Sequence, residues 1–136
     1  MKVVLDTNVF ISAFFWNGKP RRVLERGIEG LDELYICNEI LEEISLVLRR
    51  PKFKVPEQGI DYFIQSIEDI THKVLIKGSV KGVCRDRADN AILECALLGK
   101  ADWLITGDED LLVLQKYKKI KITTAADYLE CVQNKS

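Results

Sequence analysis

The feature that most constrains this chain is a short apolar run near its amino terminus that stops at a polar triplet. Residues 3–5 are Val, Val and Leu, the triplet is Asp6, Thr7 and Asn8, and residues 9–15 are again mostly apolar. A run that is apolar on both faces is typical of a central strand in a parallel α/β sheet. Asp6 then lies at the carboxyl end of that strand, where open α/β folds bind their ligands. Helix capping by Asp6 or Asn8 is the alternative interpretation, and this stretch alone does not separate the two.

Length and charge limit what the chain can be. Its 136 residues suit a single domain, which we expect over residues 1–132, with a polar tail at 133–136. Twenty Lys and Arg nearly balance 21 Asp and Glu, so the overall charge is not that of a basic nucleic-acid binder. Any contact with nucleic acid must come from a local patch. We find neither a secretory signal nor an apolar run of membrane-spanning length, and we expect a cytoplasmic protein.

The cysteines and the histidine give no metal motif. Cys37, Cys84, Cys95 and Cys131 are far apart and lack the short spacing of zinc or redox sites. We interpret them as buried thiols of a protein from a reducing compartment. His72, the one histidine, has no partner at ligand spacing, so we expect a structural or solvated role.

Strand and helix patterns alternate along the rest of the chain. We predict an Asn38 cap for the third helix and a Gly99 cap for the fifth. The predicted helices are 9–15, 20–29, 39–50, 60–70, a helix within 85–99, and one after Thr124; the predicted strands are 34–37, 74–76, 102–105 and 120–122. This alternation predicts an α/β domain with a parallel sheet.

The third helix carries three acids that its geometry separates. At about 100° per residue, Glu42 points away from the apolar face, whereas Glu43 lies at its edge. Glu39 shares the flank of Glu43 and remains a rival, although acids in a first turn usually interact with the helix dipole.

Two further acids occupy unusual positions. Asp89 projects into the middle of the apolar face of the fifth helix, while Glu94 lies on the opposite side. A carboxylate aimed at a core is costly unless it is paired or bound to metal, and Asp86 and Asn90 are close enough to assist. Asp108 follows the fourth strand as Asp6 follows the first.

Four acids therefore converge by independent arguments: Asp6, Glu43, Asp89 and Asp108. Carboxylates this close repel one another and raise one another's pKa, so the group needs a compensating cation. A ligand set of oxygen atoms without paired Cys or His favours Mg²⁺ or Mn²⁺ over zinc.

Together, four motifs of this chain resemble the PIN domain. They are LDTN at 5–8, LEEI at 41–44, DNAI at 89–92 and ADWLITGD at 101–108. The resemblance covers essentially the whole chain and is strongest to the PIN-type toxins of bacterial and archaeal toxin–antitoxin systems. It implies a three-layer α/β/α sandwich around a parallel sheet.

The resemblance also implies an activity. It is that of an endoribonuclease dependent on Mg²⁺ or Mn²⁺, which would leave a 5′-phosphate and a 3′-hydroxyl. We expect single-stranded RNA as the substrate, since a single strand can enter a cleft floored by carboxylates with its bases splayed. Such proteins are often dimeric, and a toxin would have an antitoxin partner. Position by position, the resemblance implies catalytic and metal-binding roles for Asp6, Glu43, Asp89 and Asp108, and supporting roles for Asn8, Thr106 and Asp110.

Basic residues are candidates for RNA contact. The stretch 49–54 is basic with one aromatic residue, and is either a solvated surface or a phosphate contact. Our candidates for the basic rim are Arg21, Arg22, Arg49, Arg50, Lys52 and Lys54. The resemblance assigns no role to Arg85 and Arg87, which lie near the third acid.

Two alternative functions remain open. A phosphotransfer enzyme would carry a second acid beside Asp6, but position 8 is Asn8, and no late lysine follows a short apolar strand as required. A catalytically silent PIN-like module that binds RNA or acts as a scaffold would keep the fold without turnover. All four acids argue against it, although intact ligands do not establish catalysis.

Overall fold

The computed structural model describes residues 1–133, whose strands form one six-stranded sheet. The strands are β1 (Lys2–Leu5), β2 (Glu33–Ile36), β3 (Thr71–Lys73), β4 (Trp103–Ile105), β5 (Lys116–Tyr117) and β6 (Ile120–Thr123). Their order is β3-β2-β1-β4-β6-β5, and each neighbouring pair is parallel except β5 and β6, which are antiparallel.

The helices flank this sheet. They are α1 (Thr7–Phe15), α2 (Lys19–Ile28), α3 (Asn38–Leu48), α4 (Glu57–Ile70), α5 (Arg87–Leu98), α6 (Glu109–Leu112) and α7 (Ala125–Gln133), with a 3₁₀ turn at Pro51–Phe53. Helix α5 packs on β1, β2 and β4, whereas α1 packs on α2 and α3. The predicted α/β architecture is confirmed.

Strand β1 lies at the centre because its residues are buried on both faces. Val3, Val4 and Leu5 are essentially inaccessible to solvent, and Val4 pairs with Tyr35 on one side and Leu104 on the other. Parallel strands end at the same edge of a sheet. The residues after β1 and β4 therefore meet at one edge.

Two local predictions differ from the structure. The third strand is Thr71–Lys73 and not 74–76, because the chain enters the sheet directly after α4 and pairs with β2. His72 consequently lies within this strand, where it is exposed, and its ring centroid is 4.9 Å from that of Tyr35. Cys37, and not Asn38, precedes the first turn of α3, and it makes no side-chain capping bond.

Other expectations fall on the termini and the thiols. Thr124 caps α7 as predicted, since its Oγ1 accepts a hydrogen bond of 3.2 Å from the Asp127 amide. Gln133 is the last residue of α7, and the remainder of the predicted tail, 134–136, lies outside the described residues. The four cysteines are free thiols, of which Cys37 and Cys95 are buried. Within residues 1–133, no helix has the length and apolar character needed to cross a membrane.

Candidate metal centre

Asp6 lies where β1 ends and α1 begins, and both of its carboxylate oxygens are engaged. The Thr7 amide donates to Oδ1 at 2.7 Å, and the Thr106 hydroxyl donates to Oδ2 at 2.7 Å. Burial raises the pKa of Asp6, the two hydrogen bonds lower it, and the charge of Asp108 raises it. The side chain therefore caps α1, as the capping interpretation predicts, and it also lies close enough to Asp108 to be affected by its charge.

The loop after β4 is held by its own acids. The Asp108 amide donates to Thr106 Oγ1 at 3.0 Å, and the Asp110 amide donates to Asp108 Oδ1 at 2.9 Å. Asp108 thereby caps the short helix α6. Because Thr106 also donates to Asp6, one hydroxyl connects the ends of β1 and β4.

Asp89 is the most perturbed acid of the site. It lies in the first turn of α5, is 4% exposed, and its Oδ2 has no hydrogen-bond partner among the described residues. Burial, and after it the charges of Asp108, Asp6, Asp86 and Asp110, together raise its pKa to about 7. An unpaired buried carboxylate is costly, so this position favours a cation.

Three carboxylates form a compact acidic group. One oxygen from each of Asp89, Asp108 and Asp110 lies within 4.8 Å of the other two. Two of the four predicted ligands belong to this group, and Asp110, predicted only as a supporting acid, completes it. Asp6 and Glu43 lie outside the group as defined by this distance. The charge of Asp6 raises the pKa of Asp89, and the charge of Asp6 in turn raises the pKa of Glu43.

Glu43 differs from the other two acids of α3. It is half-buried, whereas Glu39 and Glu42 are exposed, in agreement with the helical geometry. Burial raises the pKa of Glu43, and so do the charges of Asp6 and Asp86. These effects locate Glu43 on the side of α3 that faces the acids.

The residues present fit a hard divalent cation. Asp89 Oδ2 is a buried oxygen atom without a hydrogen-bond partner among residues 1–133. The buried Thr7 hydroxyl lies beside Glu43 and lowers the pKa of that carboxyl. Carboxylate and hydroxyl oxygens are the donors that Mg²⁺ and Mn²⁺ prefer. Asn8, predicted to support the site, is exposed and lines a surface cavity together with Thr106.

The predicted RNA contacts fall into two classes. Arg21 caps the end of α1, because its Nε donates to the Ala13 carbonyl at 2.8 Å and its Nη2 to Phe14 at 3.1 Å. Arg49 pairs with Glu57 and Asp61.

The remaining predicted contacts are exposed, and they are Arg22, Arg50, Lys52 and Lys54. Among these, Arg50 lowers the pKa of Glu43 by its charge, which indicates that it lies near the acids.

Two residues of α5 were missed as structural determinants of this region. Glu94 was expected opposite the apolar face, but it is 1% exposed, because its carboxylate accepts backbone hydrogen bonds from Lys77, Gly78 and Val80. Asn90 Oδ1 accepts from the Cys84 amide at 2.9 Å, and Asn90 Nδ2 donates to the Cys84 carbonyl at 3.2 Å. Helical periodicity places Glu94 on the polar face of α5. It cannot show that the backbone amides of the loop at residues 77–80 need a hydrogen-bond acceptor there.

The chain is similar to known proteins over most of its length. The family model described as PIN domain matches residues 2–110. The chain is 35% identical over 143 residues to the uncharacterized protein MJ1680 of Methanocaldococcus jannaschii, covering 96% of this chain and 90% of that protein.

A solved structure shares the fold. It is the crystal structure of VapBC2 from Rickettsia felis bound to a DNA fragment from their promoter. The TM-score is 0.64 at 17% sequence identity, and the match covers 90% of this chain and 97% of that chain. At this identity the similarity concerns the fold alone.

Proposed function

The chain belongs to the PIN domain family, and we propose that it is a divalent-metal-dependent endoribonuclease that hydrolyses single-stranded RNA. The observation that carries the proposal is the acidic group formed by Asp89, Asp108 and Asp110 at the carboxyl edge of a parallel sheet. Asp89 Oδ2 is buried and unpaired among the described residues, and a bound cation would offset the free-energy cost of this arrangement.

The acids have distinct tasks in this proposal. Asp89, Asp108 and Asp110 would hold the cation, with Asp6 and Glu43 completing the negative surface around it. A divalent cation bound at such a site lowers the pKa of a water molecule and stabilises charge on a phosphodiester. We propose Mg²⁺ or Mn²⁺, because the donors are oxygen atoms.

The threonines would position the acids. Thr106 and the Thr7 amide direct the two oxygens of Asp6, and their hydrogen bonds favour its ionised form. Through its bond from the Asp108 amide, Thr106 also fixes the spacing between Asp6 and Asp108. The carboxylates of Asp6 and Asp108 would therefore be oriented before substrate binds.

Single-stranded RNA is the substrate that we propose. A single strand can present an unstacked phosphodiester to acids at a sheet edge more readily than a duplex can. Exposed basic residues near α3, namely Arg50, Lys52 and Lys54, can contact its phosphates. Arg21 and Arg49 contribute less in this proposal, because they already have partners within the chain.

We extend the proposal to the toxin of a toxin–antitoxin pair. The sequence resembles PIN-type toxins, and the VapBC2 complex, which shares the fold, was crystallised on a DNA fragment from their promoter. In this proposal an antitoxin protein binds the chain, and the chain forms a homodimer or a higher homo-oligomer in the cytoplasm, where its four free thiols stay reduced.

The test is cleavage of mixed single-stranded RNAs by purified protein with Mn²⁺ or Mg²⁺. We expect cleavage that leaves 5′-phosphate ends, and its loss with EDTA and in the Asp6→Asn variant. Binding of RNA without cleavage, by folded protein saturated with metal, would instead support a silent RNA-binding module.

A further inference from the structure

The segment between β3 and α5 contains a concentration of positive charge that the proposed function leaves unused. Residues 77–87 are here called the basic segment. Residues 77–86 form neither helix nor strand, and Arg87 is the first residue of α5. Their cationic side chains are all exposed, and they are Lys77, Lys81, Arg85 and Arg87. Asp86 is the only acid among them, so the basic segment is strongly positive in a chain of nearly balanced charge.

The start of the basic segment is fixed by a buried carboxylate. Glu94 Oε2 accepts from the Lys77 amide at 2.5 Å and from the Gly78 amide at 3.1 Å, and Glu94 Oε1 accepts from the Val80 amide at 3.1 Å. Gly78 has a φ of +77°, which lets nearby amides converge on one anion. Glu94 is therefore an internal anion that holds the backbone of this segment.

The end of the basic segment is fixed by other residues of the same region. Asn90 bonds both backbone groups of Cys84, and Asp86 caps α5 by accepting from the Ala88 amide at 2.9 Å. Helix α5 also carries Asp89, so the basic segment and the acidic group are fixed relative to each other.

The basic segment borders the acidic group directly. Arg85 Nη2 lies 2.9 Å from Asp110 Oδ1 and 3.2 Å from its Oδ2. After burial, the charges of Asp89 and Asp110 are the largest causes that raise the pKa of the Cys84 thiol, so Cys84 also lies beside these acids.

On its other side, the basic segment contributes to a cavity of about 520 Å³ that Lys81 and Arg87 line with apolar neighbours. Lys81 and Arg87 form no ion pair with any residue in the described range 1–133. The pair between Arg85 and Asp110 is exposed, and such pairs contribute little to stability, so Arg85 can exchange its partner for a phosphate.

We propose that the basic segment is a phosphate-contacting surface for the RNA strand beside the acidic group, held in its binding conformation by Glu94. The identity of the strand rests on the proposed function. Acids alone repel a polyanion. Arg85 beside Asp110 offsets this repulsion, and Lys81 and Arg87 extend the positive surface along the same segment for the flanking nucleotides. Arg21 and Arg49, by comparison, are occupied within the chain.

The test measures RNA binding separately from cleavage. In an Asp89→Asn background, which removes turnover, the affinity for a fluorescent single-stranded RNA is measured from low to moderate salt. We expect Lys81→Gln with Arg87→Gln to weaken binding about tenfold or more. The slope of log affinity against log salt is negative and should become shallower by about 1.4, since each of the two lost phosphate contacts on a single strand contributes about 0.7.

Matched controls carry the same change of charge elsewhere. Lys118→Gln with Lys119→Gln alters two exposed residues at the amino end of β6, the sheet edge opposite the acids, and should leave the affinity and the slope unchanged. Lys52→Gln with Lys54→Gln tests the other basic stretch. The proposal is overturned if Lys81→Gln with Arg87→Gln changes neither affinity nor slope, whichever result the Lys52 and Lys54 variant gives.

A second variant tests the role of Glu94. In Glu94→Ala, the amides of residues 77–80 lose their anion, and we expect faster trypsin cleavage within the basic segment together with weaker RNA binding. Acetate, which replaces the missing carboxylate, should slow the cleavage and restore binding, whereas equal chloride should not. If the basic segment of Glu94→Ala is cleaved faster by trypsin but the variant binds RNA as tightly as its parent, the proposal is contradicted. If wild-type protein binds RNA through this segment but never cleaves it, the proposed catalysis fails while this inference stands.

Discussion

The hydroxyl of Thr106 donates a 2.7 Å hydrogen bond to Asp6 Oδ2, joining residues that are 100 positions apart in the sequence. The bond forms because β1 and β4 are parallel neighbours that end at the same edge of the sheet. The same oxygen of Thr106 accepts from the Asp108 amide, so a single buried side chain connects two acids of the candidate site.

Replacement of Thr106 by Val tests this connection. The variant retains the shape but loses the donor to Asp6 and the acceptor for Asp108, and we expect a loss of about 1–3 kcal/mol in unfolding free energy. The pKa of Asp6 should rise, because this hydrogen bond lowers it, so the acid limb of the pH–rate profile should move to higher pH. Thr106→Ser restores the hydroxyl and should retain both properties. An unchanged profile in Thr106→Val would remove Thr106 from the positioning role.

The raised pKa of Asp89 predicts how stability depends on pH in metal-free protein. A carboxyl whose pKa is about 7 in the folded chain and near 4 when unfolded binds its proton more tightly in the folded state. Folding stability should therefore decrease as pH rises from about 4 to about 7, by an amount on the order of a few kcal/mol. Asp89→Asn should be more stable than wild type at pH 8 and should lose much of this dependence. Urea unfolding in EDTA between pH 5 and pH 8 measures both proteins, and parallel pH curves would contradict the prediction.

The three acids of α3 provide an internal comparison. Glu43→Gln should lower kcat/KM at least tenfold, because Glu43 is half-buried and faces Asp6. Glu39→Gln and Glu42→Gln change exposed charges and should stay within about twofold of wild type. Steady-state cleavage rates of the three variants decide the order, and a larger effect at Glu39 would show that Glu39, not Glu43, serves the site.

Asp110 belongs to the acidic group in the structure, and its variant tests whether that membership matters. Asp110→Asn should weaken Mn²⁺ binding at least several-fold, because one of three close carboxylates is neutralised. Glu109→Gln removes an adjacent, exposed charge and is the matched control. If both substitutions weaken Mn²⁺ equally, the effect is one of general charge and Asp110 has no specific place in the group.

The sequence predicts those features that depend on side-chain pattern. The apolar run 3–5 predicted a central strand, and the position of Asp89 on an apolar helix face predicted a buried acid; both predictions are confirmed. Glu94 was mispredicted because its burial depends on backbone amides of a loop without periodicity. Asp108 caps α6 by accepting from the Asp110 amide, and this turn brings Asp110 beside Asp89. Residue spacing in the sequence does not predict this arrangement.

The third strand shows a related limit. The apolar residues 74–76 have the composition of a strand, yet Thr71–Lys73 pairs with β2. The end of α4 decides this register, because the chain reaches the sheet edge as soon as the helix stops. Composition alone cannot indicate the residue at which the preceding helix ends.

The most direct measurement is a calorimetric titration of Mn²⁺ into wild-type protein, Asp89→Asn and Glu39→Gln at pH 7.5. If Asp89, Asp108 and Asp110 form a cation site, wild type and Glu39→Gln bind Mn²⁺ with similar affinity and Asp89→Asn binds at least tenfold more weakly. Equal affinity in all three proteins, each confirmed to be folded, would contradict a cation site at this edge of the sheet.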